Sequence, residues 1–314
     1  MSDFKVTILG NGSAVPTATQ HPSSQIVRMA DMQLMIDCGE GTQMQMIKYG
    51  IKHRNLDHIF ISHLHGDHYF GLFGLISTFH LFGRETPLHI YAPADLKELV
   101  EHQLRISRTQ LRFPLHFIPL EDADDTPLLI NNDFTLTAFP LFHRIPTWGI
   151  KICKEDRTLR IDKGFVASFN PTVEQIHKIK QGEDFKSEKG ILFKNEEIML
   201  PPKPSQMYAY CSDTAFSESL IPIVQNADLL YHEATFDSSM EAMASDKMHA
   251  TSAQAALLAI KAQVGQLLLG HYSARFDDFS ELLTQAQSIF PNTLLVKKEN
   301  LMKSGVKIVI LSKR

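Results

Sequence analysis

A candidate strand that runs straight into a cluster of metal-ligand residues lies at positions 58–68. The sequence there is His-Ile-Phe-Ile-Ser-His-Leu-His-Gly-Asp-His. Positions 58–62 are mainly apolar and β-branched, a composition typical of a buried strand. Because side chains two positions apart in an extended backbone point the same way, His63 and His65 can face one metal ion.

The same stretch offers a second pair of ligands. Gly66 permits a sharp turn, and Asp67 and His68 follow at the expected start of a helix, where they can face a second metal ion. Neutral imidazole and carboxylate groups are ligands that zinc accepts readily. A single histidine after a strand is usually only solvated, but four ligand-type residues within six positions predict a metal centre.

Composition points to an intracellular globular protein. The 314 residues suffice for one large domain or two modest ones, and 44% of them are hydrophobic and 21% charged. No apolar run has the length of a membrane span, and the amino terminus lacks a secretory signal pattern. The three cysteines are isolated and odd in number, which argues against a disulfide framework. We therefore expect a cytoplasmic protein that has no membrane-spanning segment.

Charge is distributed unevenly along the chain. The formal net charge of −4 does not by itself indicate a nucleic-acid partner, so such a partner would need a local basic surface. Residues 151–203 contain 11 lysines and arginines against 9 acidic residues. Strand-like alternation also fades between about 154 and 205. This segment is either a solvent-facing insertion without function or an arm that holds a long substrate.

Strand and helix patterns alternate through the rest of the chain, which predicts the α/β class. Several of the predicted strands end in a residue that can bind a metal or move a proton. These residues are His143, Asp213, Glu233 and His271. Loops at one edge of a sheet are where a rigid scaffold presents a site, but spacing alone does not assign these residues to the centre at 63–68.

The His-x-His-x-Asp-His motif is the signature of the metallo-β-lactamase superfamily. The wider stretch 60–72, Phe-Ile-Ser-His-Leu-His-Gly-Asp-His-Tyr-Phe-Gly-Leu, resembles more narrowly the ribonuclease Z family of tRNA 3′-end processing endonucleases. The resemblance implies a single domain over 1–314 with the four-layered αβ/βα sandwich of that superfamily. It also implies that 154–205 is an inserted exosite arm for tRNA binding.

The resemblance implies two zinc ions per subunit, with manganese or iron as other possible metals. The implied ligands are His63, His65 and His143 for one ion, Asp67, His68 and His271 for the other, and Asp213 as a bridge between them. Two cations suit phosphodiester hydrolysis because they can activate water and offset the charge that builds on the attacking and leaving oxygens.

The same resemblance implies catalytic roles and partners. His249, in a His-x-Thr stretch, matches the family's candidate general acid, and Glu233 could orient its imidazole. Asp67 is expected to act mainly as a ligand and secondarily to orient hydroxide. The expected substrate is precursor tRNA, cut to leave a 3′ hydroxyl on the tRNA and a 5′ phosphate on the trailer. The family typically works as a homodimer.

One position departs from the family pattern, and the role of a second position is left open. Ser212 stands where a glycine usually precedes the bridging aspartate. Asp37 matches a superfamily aspartate that either caps a turn or holds a ligand histidine. Two other functions are also open: a superfamily hydrolase of a small phosphodiester, thioester or lactone, and a non-catalytic zinc- or RNA-binding protein.

Overall fold

The computed structural model describes residues 4–18, 20–29, 32–131, 134–154, 159–202, 205–295 and 308–310. The strands are β1 (Phe4–Gly10), β2 (Ser24–Met29), β3 (Met32–Cys38), β4 (Leu56–Phe60), β5 (Leu88–Ala92), β6 (Leu115–Pro119), β7 (Pro127–Ile130), β8 (Phe134–Leu141), β9 (Thr147–Lys154), β10 (Arg160–Ile161), β11 (Phe185–Lys186), β12 (Leu192–Phe193), β13 (Met199–Leu200), β14 (Gln206–Cys211), β15 (Leu229–Glu233), β16 (Leu267–Gly270), β17 (Thr293–Leu295) and β18 (Ile308–Ile310). The helices are α1 (Thr42–Lys48), α2 (Gly66–Tyr69), α3 (Gly71–Leu81), α4 (Asp95–Ile106), α5 (Lys163–Phe169), α6 (Val173–Lys180), α7 (Asn195–Ile198), α8 (Leu220–Ile223), α9 (Glu241–Lys247), α10 (Ser252–Lys261) and α11 (Ser280–Ile289).

Two seven-stranded sheets form the centre of the main unit. The first has the order β18-β1-β2-β3-β4-β5-β6, and the second has the order β17-β16-β15-β14-β9-β8-β7. In the first sheet β3 to β6 are parallel, and in the second sheet β14 to β17 are parallel. Parallel strands are buried on both faces, and all five residues of β15 are buried accordingly.

Three hydrophobic clusters define four layers. Phe60 of the first sheet and Tyr208 of the second belong to one cluster, which places it between the sheets. Residues of α3 and α4 pack with the outer face of the first sheet, and residues of α8, α10 and α11 pack with the outer face of the second. This α/β/β/α arrangement confirms the predicted sandwich.

The strand that leads to the histidine cluster ends earlier than the sequence predicts. The apolar run suggested a strand through Ser62, but β4 stops at Phe60. Ile61 still donates its N–H to the carbonyl of Tyr91 at 2.8 Å. The N–H of Ser62 instead donates to a carboxylate oxygen of Asp37 at 2.7 Å, so a side chain replaces the neighbouring strand as its partner.

The apolar, glycine-containing sequence of 69–82 predicts one buried helix, but two helices cover this part of the chain. α2 ends at Tyr69, and α3 begins at Gly71. Phe70 separates the two helices, although its own backbone is right-handed helical. The short α2 turns Asp67 and His68 back toward the strand ends.

A second compact unit comprises residues 131–133 and 154–206. Its small core contains Ile179, Phe185 and Ile198. Around it lie α5, α6 and α7 with the strand pairs β10–β13 and β11–β12. Positions 155–158 and 203–204 of the predicted arm lie outside the described residues. Within the described parts of both units, every helix is too short or too polar to cross a bilayer.

Candidate metal centre

The seven implied ligands follow strands of both sheets. Those from the first sheet are His63 and His65 after β4 and Asp67 and His68 in α2. Those from the second sheet are His143 after β8, Asp213 after β14 and His271 after β16. The structure therefore brings together residues that are separated by up to about two hundred positions in the sequence. Their spacing alone does not predict this proximity.

The first group contains His63, His65, His143 and Asp213, and one ligand atom of each lies within 4.8 Å of all the others. Nδ1 of His65 lies 3.1 Å from Nε2 of His63 and 3.2 Å from Nε2 of His143. Oδ2 of Asp213 lies 3.6 Å and 3.8 Å from those two Nε2 atoms. Four donor atoms thus surround one point.

The second group contains Asp67, His68 and His271. Oδ2 of Asp67 lies 3.5 Å from Nε2 of His68 and 3.4 Å from Nε2 of His271. Oδ1 of Asp213 lies 3.5 Å and 3.1 Å from the same two nitrogens. Because its other oxygen faces the first group, Asp213 stands where a shared ligand would stand.

The chemistry of these groups fits divalent cations. Among the described residues, Nε2 of His68 and Oδ1 of Asp213 are buried without a hydrogen-bond partner, a costly state unless an ion binds them. Burial holds the pKa of His63 well below its usual range and also lowers the pKa of His65 and His143. Neutral imidazoles keep the lone pairs that a metal needs.

His249 and Glu233 form a buried pair beside this cluster. Nδ1 of His249 lies 2.7 Å from Oε1 of Glu233. Burial alone would lower the pKa of His249, but the Glu233 carboxylate raises it to about 9. The His249 ring also lies 5.0 Å from the ring of His143 and 5.6 Å from that of His271, measured between centroids. The predicted acid is therefore next to both ligand groups.

Glu233 is fixed by several donors. Its carboxylate accepts hydrogen bonds from the N–H of Thr214 at 2.9 Å and from the hydroxyl of Thr235 at 2.6 Å. It is fully buried, and its pKa is lowered by His249 despite the opposing effect of burial. A carboxylate held in this way orients an imidazole.

Two contacts to the ligands were not predicted as such. Oδ2 of Asp37 lies 2.8 Å from Nδ1 of His68, which decides between the two roles left open for Asp37 in favour of holding a ligand histidine. The N–H of Ala14, in the glycine-containing loop after β1, donates to Oδ2 of Asp67 at 2.8 Å. The only sequence signal for the second contact is the Gly-Asn-Gly turn at 10–12.

A cavity of about 510 Å³ opens onto the cluster. Its walls include the polar Asp67, Asp213 and His249 and the apolar Pro16 and Phe70. Arg275 is not part of this wall, and its Nη1 atom lies 3.3 Å from the sulfur of Met243. The cavity can admit a substrate phosphate with an adjoining base or sugar.

The four layers and the histidine–aspartate cluster at the strand ends define a metal-dependent hydrolase of the metallo-β-lactamase fold. A solved protein of that fold, YhfI from Bacillus subtilis, aligns with a TM-score of 0.65 and 22% identity over 93% of this chain and 95% of its own. Human tRNase Z, short form, aligns with a TM-score of 0.65 and 28% identity over 86% of this chain and 93% of its own.

A curated relative from Bacteroides fragilis, named Ribonuclease Z, is 43% identical over 301 residues, which are 96% of this chain and 99% of the relative. Residues 4–290 also match the family model described as Anti-Pycsar protein Apyc1. The chain belongs to the family that this model describes and, within the metallo-β-lactamase fold, to the ribonuclease Z family. The family predicted from the sequence is thus confirmed.

Proposed function

We propose that the chain is a metal-dependent endoribonuclease that removes the 3′ trailer from precursor tRNA. The products are a tRNA with a 3′ hydroxyl and a trailer with a 5′ phosphate. The observation that carries this proposal is the pair of ligand groups that share Asp213 and face one cavity with His249. Membership of the ribonuclease Z family over nearly the whole chain supports the choice of substrate.

We assign two divalent cations per subunit to the centre, zinc by preference and manganese or iron as other candidates. The ligands are His63, His65 and His143 for one, Asp67, His68 and His271 for the other, and Asp213 for both. Such a pair supplies a nucleophile from water at neutral pH and offsets the charge that builds on the phosphate. The carboxylate of Asp67, held by the Ala14 N–H, can also orient that water.

His249 is assigned as the proton donor to the leaving 3′ oxygen. Because Nδ1 faces Glu233, Nε2 is the nitrogen that remains for the substrate. The pKa of about 9 keeps the imidazole protonated at neutral pH, which an acid requires. Glu233 acts through His249 and is a positioning residue.

The insertion 154–205 is assigned to tRNA binding. Phe165, Phe169, Phe185 and Phe193 form an aromatic cluster within the second unit, with ring centroids 4.6 to 6.4 Å apart. Those rings pack against one another within the unit, and Lys163, Lys180, Lys186 and Lys189 are exposed on its surface. Lysines on such a surface suit a phosphate backbone.

We also propose a homodimer that acts in the cytoplasm. Met44 and Ile47 of α1 and Leu81 and Phe82 at the end of α3 are apolar and between 62% and 76% exposed. The two helices are adjacent, since the Thr78 hydroxyl donates to the Gln43 side chain at 2.8 Å. Neighbouring apolar side chains of this size suit a protein interface. A mass measured by light scattering that stays monomeric at micromolar concentration would contradict the dimer.

The test of the function is cleavage of a defined precursor tRNA with an encoded trailer. The expected result is one cut at the 3′ end of the tRNA, with a 3′ hydroxyl and a 5′ phosphate, and loss of the cut after chelation. His249→Ala should retain bound metal while losing most of the rate. Efficient hydrolysis of a small phosphodiester with no cut in the tRNA would refute the proposal.

A hydrolase of a small phosphodiester is the second candidate. The His-x-His-x-Asp-His motif, which the chain shares with other hydrolases of the superfamily, favours keeping it. The same centre would perform the chemistry, so the two candidates differ in what fills the cavity. A cyclic dinucleotide or cyclic mononucleotide, a linear phosphodiester and a thioester should therefore be assayed beside the precursor tRNA.

A further inference from the structure

We propose that Ser62 is a positioning residue that transmits a constraint from Asp37 to His63 and so fixes one tautomer of that histidine, and that Ser212 completes the hydrogen bonding of Ser62. The proposal rests on the metal centre of the proposed function. It does not depend on the identity of the substrate, because it concerns the nitrogens that each ligand histidine presents.

The Ser62 hydroxyl lies at the meeting point of both ligand groups. It is fully buried, and its Oγ lies 3.0 Å from Nδ1 of His63 in the first group. The same oxygen lies 3.4 Å from Nδ1 of His68 in the second group. It also lies 3.0 Å from Oδ2 of Asp37 and 3.1 Å from the hydroxyl oxygen of Ser212.

Asp37 sets the direction of these hydrogen bonds. A carboxylate only accepts, and the neighbours of its Oδ2 are Nδ1 of His68 at 2.8 Å, the Tyr210 hydroxyl at 2.7 Å and the Ser62 hydroxyl. Each of these three groups must therefore donate. His68 consequently carries its proton on Nδ1, and Nε2 is left with a lone pair that faces Asp67 and Asp213.

Ser62 passes the same constraint to His63. Since the single Ser62 proton is directed to Asp37, its oxygen can only accept from its remaining neighbours. Nδ1 of His63 must then be the protonated nitrogen, and the Ser212 hydroxyl supplies the second hydrogen bond to Ser62 Oγ. The lone pair on Nε2 of His63 is left for the first ligand group.

The opposite arrangement is unfavourable. If the Ser62 proton pointed to His63, the Ser62 oxygen and the Asp37 carboxylate would face each other at 3.0 Å without a proton between them. Two acceptors in contact in a buried site lose a hydrogen bond and repel each other. The network therefore selects a single pattern, and that pattern presents Nε2 of both histidines to the cluster.

Ser212 is the part of this network that departs from the family pattern described above. A glycine there would leave Ser62 with one hydrogen bond fewer. Ser212 is also joined directly to Asp213, the ligand that both groups share. Its hydroxyl thus links the turn that carries Asp213 to the serine that orients His63.

The experiment compares Ser62→Ala and Ser212→Ala with Ser24→Ala. Ser24 is a matched control because it is buried and its Oγ has no hydrogen-bond partner among the described residues. Zinc affinity and stoichiometry are measured by competition with a chromogenic chelator. The imidazole tautomers are measured in metal-free protein by nitrogen-15 NMR.

Ser62→Ala should weaken zinc binding by about 10- to 100-fold and give His63 a mixture of tautomers. Ser212→Ala should weaken zinc binding by less than Ser62→Ala, and Ser24→Ala should leave it unchanged. Ser62→Thr keeps a hydroxyl and should restore the Nδ1–H form, which separates the loss of the hydrogen bond from a failure to fold.

The proposal is overturned if His63 in the wild-type protein carries its proton on Nε2, or if Ser62→Ala keeps both wild-type affinity and a single Nδ1–H tautomer. The NMR result stands even if the protein binds no zinc. A protein that shows these effects but does not cut precursor tRNA would refute the proposed substrate and leave the role of Ser62 intact.

Discussion

Replacing Gly71 by alanine tests whether close backbone packing holds the second ligand group in place. Gly71 begins α3, three positions after His68. A Cβ atom there would lie 2.2 Å from the carbonyl oxygen of Gly39 and 2.9 Å from that of Cys38. Both carbonyls belong to the segment that follows Asp37, the carboxylate partner of His68.

The size of the effect follows from this overlap. A carbon and an oxygen without a bond stay more than about 3 Å apart, so the helix and the loop must separate by roughly 1 Å. Overpacking of this kind costs about 1–3 kcal/mol of stability. A misplacement of about 1 Å at a reacting centre can lower the rate by about 100-fold.

Gly74→Ala is the matched control in the same helix. The nearest atom to its added Cβ is the amide nitrogen of the Gln43 side chain at 3.3 Å, which can move aside. Alanine is more favourable than glycine inside a helix by about 0.5–1 kcal/mol. Gly74→Ala should therefore keep the stability of the wild-type protein or exceed it.

Thermal unfolding, bound metal and the rate of tRNA cleavage are measured for both variants. We expect Gly71→Ala to unfold at a lower temperature, bind metal more weakly and cleave more slowly, whereas Gly74→Ala matches the wild-type protein. Equal stability and equal metal content in the two variants would show that the contact between Gly71 and Gly39 does not hold the ligands.

Four further predictions concern the centre, the cavity, the insertion and the effect of pH. His65→Ala should lose zinc and abolish cleavage, and unchanged zinc content by elemental analysis would show that His65 is not a ligand. Phe70→Ala should raise the KM for precursor tRNA several-fold and leave the KM for a small phosphodiester unchanged, because the exposed Phe70 ring beside the site can stack on a base. An equal change in KM for both substrates would count against stacking. Deleting about 160–200 should impair tRNA cleavage far more than small-phosphodiester hydrolysis, and an equal loss would contradict a role in tRNA binding. Burial, with smaller effects from His89 and Arg84, lowers the pKa of His58 to about 4. The unfolded chain therefore takes up this proton first, so the stability that neutral His58 contributes is present above about pH 6.5 and lost between about 6.5 and 4. The free energy of unfolding should fall by about 1–2 kcal/mol over this pH range, after allowance for solvent screening. Denaturation of metal-free His58→Phe should show a correspondingly smaller fall, and identical pH profiles for the variant and the wild-type protein would exclude the effect.

The sequence predicted the part of the centre that depends on local spacing. His63 and His65 alternate in extended backbone, and Asp67 and His68 follow a glycine turn, so four ligand positions lie within one short segment. Such geometry needs no knowledge of the rest of the fold. The α/β class was likewise predictable, because the alternation of strands and helices is a local property.

The remaining candidate ligands depend on contacts between distant segments. His143, Asp213 and His271 reach the centre only because the two sheets face each other, and no periodicity in the sequence encodes that packing. Their assignment came from the resemblance to a family. The break at Phe70 was missed because the apolar run continues through it without a helix-ending signal.

The contribution of Ser62 was missed for a different reason. A serine at the end of a strand usually bonds to nearby backbone, and nothing in its sequence neighbourhood indicates four polar partners for its hydroxyl. Those partners come from β3, the turn after β14, the loop after β4 and α2, so the role of the hydroxyl is visible only after folding. Buried polar networks are in general the part of a site that composition reveals least.

The distribution of the seven residues over both sheets has a consequence for synthesis of the chain. Four of them precede position 70, but His143, Asp213 and His271 follow much later in the chain. Chains grow from the amino terminus, and their segments fold as they emerge. A ribosome-bound fragment therefore holds an incomplete set of candidate ligands until His271 has been translated. The order of synthesis thus makes assembly of the metal centre depend on the segment that supplies its last ligand.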